Sequence, residues 1–128
     1  MRLLAPGVAL VAVAVASAAR ADDPAYRACI GKAGSMDAAL VRCGDELLKR
    51  ANASLEDAWR AALADMPGDA ARRALSEEQA AWAAFRDKSC LAFSTGDFAR
   101  DVQAVSFPVC RAGVIDARAK YLRSLTDN

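Results

Sequence analysis

Four cysteines, Cys29, Cys43, Cys90 and Cys110, limit what this chain can become more than any other feature, because the segment before them reads as an export signal. Arg2 gives a basic start, Leu3 to Ala16 an apolar core, and Ala19-Arg20-Ala21 an A-x-A-like cleavage site. The apolar run falls short of the ~20 residues a bilayer span needs, so no stable membrane insertion is expected once the leader is cut. The chain then divides into a signal peptide, residues 1–21, and one domain, residues 22–128. Cys29 follows Tyr26-Arg27-Ala28 rather than small apolar residues directly after the signal, so lipid attachment there is not expected. In a periplasmic or secreted chain of this size, four cysteines read as two disulfides. There is no histidine and no C-x-x-C pair, which leaves no recognisable metal site, cofactor site or thioredoxin-like redox motif.

Charge narrows the partners. The whole chain carries 17 Lys and Arg against 16 Asp and Glu, and loss of Arg2 and Arg20 with the leader leaves 15 against 16, a net charge of −1. Nucleic-acid binding needs a basic stripe, and an anionic membrane surface asks for the same, so neither partner is expected.

The apolar periodicity is helical throughout and strand signals are poor. The fold class expected is all-α, a small disulfide-stapled bundle of about four helices: a short helix over 24–33, long helices over 36–66 and 69–93, and a last helix over 109–125. Pro24 suits an opening turn, Gly34-Ser35 breaks the chain, and Ser35 or Asp37 can cap the second helix. Leu40, Cys43, Leu47, Ala51, Leu55, Trp59, Ala62 and Met66 recur three or four apart, and Pro67-Gly68-Asp69 ends that run. Residues 94–108, with Gly96 and Pro108, show no sustained period and read as a loop. Cys29 and Cys43 lie seven residues on either side of Met36, and Cys90 and Cys110 ten on either side of Arg100, so antiparallel fold-back pairs Cys29 with Cys43 and Cys90 with Cys110. Each closed loop adds about 3 kcal/mol on a chain-entropy account. That matters in a chain whose many alanines bury little area each.

One stretch is not generic. Leu75, Gln79, Trp82, Arg86, Cys90 and Phe93 fall on one helical stripe, so a Gln and an Arg sit among apolar residues. The run Gln79-Ala-Ala-Trp82-Ala-Ala-Phe85-Arg86-Asp87-Lys-Ser-Cys90 resembles the signature Q-x-x-W-x-x-[FY]-R-D-x-x-C of the LprI-like lysozyme-inhibitor family, formerly a family of unknown function. Cys110, Arg118 and Leu122 extend the resemblance, and the early pair Cys29 and Cys43 fits the same layout. The chain departs from the family's D-x-x-L-N-x-x-Y pattern, having Asn52, Leu55, Glu56 and Trp59, and has Ile115 where Thr is frequent. The resemblance implies a small helical, disulfide-bonded protein of the periplasm or outside, some of whose relatives inhibit lysozyme.

The individual residues admit two readings each. Arg86 could tie helices together through a network with Gln79, Trp82 and Arg118, or present its guanidinium to the carboxylates of an enzyme's cleft. The shared apolar stripe favours the network, which predicts that Arg86→Ala lowers stability markedly. Asp87 points off the stripe and reads as solvated or paired with a neighbouring base. The segment 94–108, closed by a disulfide and carrying Phe93, Phe98, Phe107, Asp97, Arg100 and Asp101 at or near it, either contacts a partner or caps the core. Arg86, Asp87, Phe98, Arg100 and Asp101 are therefore the candidate binding residues. Trp59 and Trp82 read as core.

Three functions are compatible with these features, in order of support. The first is an envelope binding protein that inhibits a lysozyme-type muramidase by occluding its cleft. A net charge near −1 offers little long-range steering, although Asp45, Glu46, Glu56, Asp57, Glu77 and Glu78 supply acidic surface on differing faces. The second is an envelope interaction module that binds another protein or peptidoglycan without inhibiting lysozyme. An enzyme comes last: no nucleophile and base stand in a recognisable context, and Lys88 and Ser89, adjacent on a helix, do not face each other.

Overall fold

The computed structural model describes residues 23–127, so the signal peptide expected over 1–21 and its expected cleavage site lie outside the described residues. Four helices occur in order: α1 (Pro24–Ala33), α2 (Asp37–Asp65), α3 (Asp69–Lys88) and α4 (Arg100–Ser124), with a short 3-10 helix (Leu91–Ser94) between the last two. No strand occurs among the described residues, and the chain is all-α.

Local chemistry sets the ends of the first helices. Asp23 caps α1 by accepting from the Tyr26 amide at 2.7 Å, and Pro24 occupies the first turn, where its missing N–H costs nothing. Gly34, at φ 60°, takes the left-handed turn that a Cβ would oppose. The chain then folds back, and the Cys29–Cys43 disulfide joins α1 to α2. Asp23 also accepts from Arg50 Nη2 at 3.0 Å, holding the start of α1 against the middle of α2.

The core is the seam between α2 and α4. Leu40, Cys43, Leu47, Ala51, Leu55, Ala58 and Ala62 are buried along α2, and Ala112, Ile115, Ala119 and Leu122 along α4, each set spaced three or four apart. Gly44 meets Pro108, and Ser54 accepts from Arg123 through its backbone carbonyl and Oγ, so the two helices run in the same direction. Alanine supports the helix and lets backbones approach, while Leu47, Ile115 and Leu122, fully buried, each contribute roughly 1.5–3 kcal/mol of burial. α1 crosses over this seam and inserts Tyr26, whose Oη donates to the Val105 carbonyl at 3.5 Å. α3 runs antiparallel to α4, and Leu75 is its single buried residue.

Two boundaries differ from the sequence reading by more than one residue. Residues 94–108 are not one loop: only 95–99 link the elements, and α4 begins at Arg100, not 109, and contains Pro108. A mid-helix proline costs about 3 kcal/mol, because its N–H is missing and its ring crowds the preceding turn. Here the ring turns into the bundle against Gly44, where a Cβ would stand 2.7 Å from the proline Cγ, and the freed Ala104 carbonyl faces the same bare glycine. Pro108 is buried, and Ala104, Val105 and Val109 pack on the core, which holds the helix through the proline. The second difference is that α3 stops at Lys88 rather than 93. The Ser89 amide closes the last turn onto the Phe85 and Arg86 carbonyls, and Cys90 turns left-handed at φ 66°. Cys90 and Phe93 nonetheless stay half-buried, so the apolar stripe continues past the end of the helix and conceals it.

Candidate functional site

The end of the bundle that holds the second disulfide is built by three devices. The Cys90–Cys110 bridge ties the exit of α3 to the middle of α4. It also holds Cys90 in a left-handed conformation that costs a residue with a Cβ roughly 1 kcal/mol or more. Beside it, Arg111 Nη2 donates to the Ser89 carbonyl at 2.9 Å and, more weakly, to the Asp87 carbonyl at 3.4 Å, satisfying orphan acceptors at the end of α3. The same guanidinium lies over the Phe107 ring, 4.9 Å from its centroid. Phe93 then packs at a tilt on Phe98, with centroids 5.6 Å apart. The link from Thr95 to Ala99 is short and internally bonded: Thr95 Oγ1 meets Asp97 at 3.2 Å, and Gln103 Nε2 donates to the Phe98 carbonyl at 2.7 Å.

These residues frame a cleft of about 720 Å³ between the first turns of α2 and of α4. Phe98, Arg100, Gln103 and Phe107 form one wall, Asp37, Val41, Asp45 and Leu48 the other, and the Gly44–Pro108 contact is the floor. Asp37, Asp45 and Arg100 form no ion pair among the described residues.

The candidate binding residues do not form one patch. Phe98 and Arg100 share the cleft just described. Asp101, whose Oδ1 accepts from the Val102 amide at 2.9 Å, lines a different cleft on the α1 side with Arg27, Ile30, Leu40 and Val105. Arg86 and Asp87 lie on α3 and pair with each other, Nε and Nη2 both reaching Asp87 Oδ1, at 2.9 and 2.8 Å. Arg86 stacks on Trp82 at 5.5 Å, and its described hydrogen bonds go no farther than Asp87. The side chain that reaches between helices is Arg118 of α4, which donates through Nε to Gln79 at 2.9 Å and through Nη1 to Glu78. Its guanidinium lies 4.9 Å from the Tyr121 centroid and 5.9 Å from that of Trp82. Arg118 is 7% exposed, and Trp82 is half-buried. A guanidinium enclosed between two rings, with a carboxylate and an amide as acceptors, is a structural pin.

Sequence reasoning misses Arg111 and Asp37's place in the cleft wall. Arg111 is signalled only by its position beside Cys110. Asp37 reads in sequence as a possible cap, but Met36 occupies that position without a side-chain bond. Among the described residues there is no group of three or more cysteines or carboxylates that could hold a metal, and no helix long and apolar enough to cross a membrane.

No curated protein and no solved structure matches the chain significantly. The family described as lysozyme inhibitor LprI matches residues 29–122, from the first cysteine to the buried Leu122. That span takes in both disulfides, the Arg118 pin and the cleft, and the chain belongs to the LprI lysozyme inhibitor family.

Proposed function

We propose that this is a non-catalytic protein of the periplasm or of the secreted fraction that binds a lysozyme-type muramidase and occludes its cleft. The observation that carries the reading is the corner around Phe98 and Arg100. An exposed aromatic ring and a guanidinium without an ion pair among the described residues project from a five-residue link, 95–99, and the first turn after it, fixed by a disulfide, by Arg111 and by the Phe93 ring. Such a corner loses little conformational entropy on binding, and aromatic and arginine side chains are the usual anchors of an interface. A glycosidase cleft offers a pair of carboxylates to a fork such as Arg100. Arg86 is less suited to that role, because Asp87 occupies its guanidinium.

The test is lysis of a peptidoglycan suspension by a hen-type lysozyme with rising amounts of the exported, oxidised protein. Inhibition is expected to saturate at a fixed stoichiometry and to fall in the Cys90→Ser, Cys110→Ser double variant. If no lysozyme of animal or bacterial type is inhibited at large excess, the reading fails and the protein is an interaction module for other envelope partners. Turnover of cell wall by the protein alone would overturn its non-catalytic character.

A further inference from the structure

The cleft between α2 and α4 differs from the groove between α3 and α4 in the charge along its walls. The groove between α3 and α4 is lined by Trp82, Phe85, Val114 and Tyr121, and its one charged side chain, Arg118, is engaged by Glu78 and Gln79. By contrast, the α2 wall presents two exposed carboxylates, Asp37 and Asp45, without ion-pair partners among the described residues, and between them Val41, 48% exposed. At 1.5 Å per residue the two carboxylates are separated by about 12 Å along the helix, more than a Debye length at physiological salt, so they repel each other little. A cation entering between them is attracted by both. Arg100 stands at the opposite wall, and it leaves the lining with two negative charges against one positive.

We propose that this cleft receives a basic side chain presented on an aromatic or apolar segment of the partner protein. The cation meets Asp45 and Asp37, and its apolar neighbours rest on Val41, Phe98 and Phe107. The two carboxylates have different surroundings. Asp37 is in the first turn of α2, where the positive end of the helix dipole offsets part of its charge, whereas Asp45 lies two turns farther in, beyond that influence. Arg42 and Lys49, three residues before and four after Asp45 on the same helix, offset part of its charge in turn, so the two carboxylates act together as the anchor. The proposal deepens the inhibitor reading and rests on it only for the partner being a lysozyme. It assigns the α2 wall to the contact surface and gives a weakly charged protein a local means of recognising a basic side chain.

Two probes separate the inference from the reading beneath it. In the first, isotope-labelled exported protein is titrated with acetyl-Phe-Arg-Phe-amide and with acetyl-Phe-Glu-Phe-amide, and amide shifts are followed by NMR. The arginine peptide is expected to move amides in 37–48 and 98–107 and to bind at least several-fold tighter than the glutamate peptide. Asp45→Asn and Asp37→Asn should each weaken it about two- to fivefold. Equal affinity for both peptides, shifts confined to the α3–α4 groove, no shifts with either peptide, or an unaltered Asp45→Asn each overturn the cleft. In the second probe, lysozyme inhibition by wild type and Asp45→Asn is compared at low and moderate salt. Weaker inhibition with a shallower salt dependence in the variant supports the cleft. Undiminished inhibition in the variant refutes the cleft while leaving the inhibitor reading intact. Arginine-peptide binding with no lysozyme inhibited does the reverse.

Discussion

The α2–α4 seam and the α3–α4 junction are both helix contacts in one small bundle, yet they are built on different chemistry. The seam is made mostly of alanines and leucines, with Cys43, Ile115 and the Gly44–Pro108 contact among them, and its residues are almost completely enclosed. The junction buries one residue of α3, Leu75, and otherwise relies on the Arg118 pin, on half-buried Trp82 and on the Cys90–Cys110 bridge. Phe85, 61% exposed, shows how little of α3 is covered. Apolar burial adds up along a contact, whereas a pinned guanidinium acts at one point. The seam therefore carries the stability of the fold, and the junction fixes where α3 sits.

That contrast can be broken experimentally, beginning with its strongest limb. Leu47→Ala removes a fully buried side chain from the seam and is expected to cost about 2–5 kcal/mol in denaturant unfolding, with loss of cooperativity of the whole domain. Arg118→Met keeps much of the stem volume but strands Gln79 and frees Glu78. It is expected to cost roughly 1.5–3 kcal/mol, and in hydrogen exchange the loss should concentrate in α3 while α2 remains protected. Equal loosening of α2 would show that the junction and the seam are one unit.

Arg86→Ala should change stability by no more than about 0.5 kcal/mol, since its ion pair with Asp87 is between chain neighbours near the surface. The network reading of the sequence gives Arg86 a marked effect; the structure transfers that effect to Arg118. The smallest effect concerns pH. Burial pushes the Tyr26 hydroxyl above its ordinary value near 10. The unfolded chain then releases this proton at lower pH than the folded chain, so stability from this group is intact below pH 10 and falls as pH rises through the folded value. Tyr26→Phe should flatten that alkaline limb of an unfolding curve.

How much of the fold is legible in the sequence depends on which signals are local. The pairing of Cys29 with Cys43 and of Cys90 with Cys110 can be reached because each pair flanks a turn, and antiparallel geometry levels residues equidistant from it. The seam face of α2 is visible as periodicity from Leu40 to Met66. The start of α4 is hidden, because Pro108 is a helix breaker by itself and becomes tolerable only against Gly44, 64 residues earlier in the chain. No window of local sequence contains both. Part of the polar stripe is misassigned for a related reason. Gln79 and Arg86 share a face of α3, but which of them meets α4 depends on how Arg118 approaches, and Arg118 takes Gln79. The cleft is invisible for the same cause: Asp37 and Asp45 belong to one helix and Phe98 and Arg100 to the entry of another, joined only by the fold.

The most direct test is hydrogen exchange of the oxidised protein from Asp22 to Asn128, alone and saturated with lysozyme. Exchange is expected to slow in residues 37–48 and 95–107, with the outer face of α3 unchanged. Protection confined to α3, or none at any amide with lysozyme in excess, would contradict the proposed contact surface.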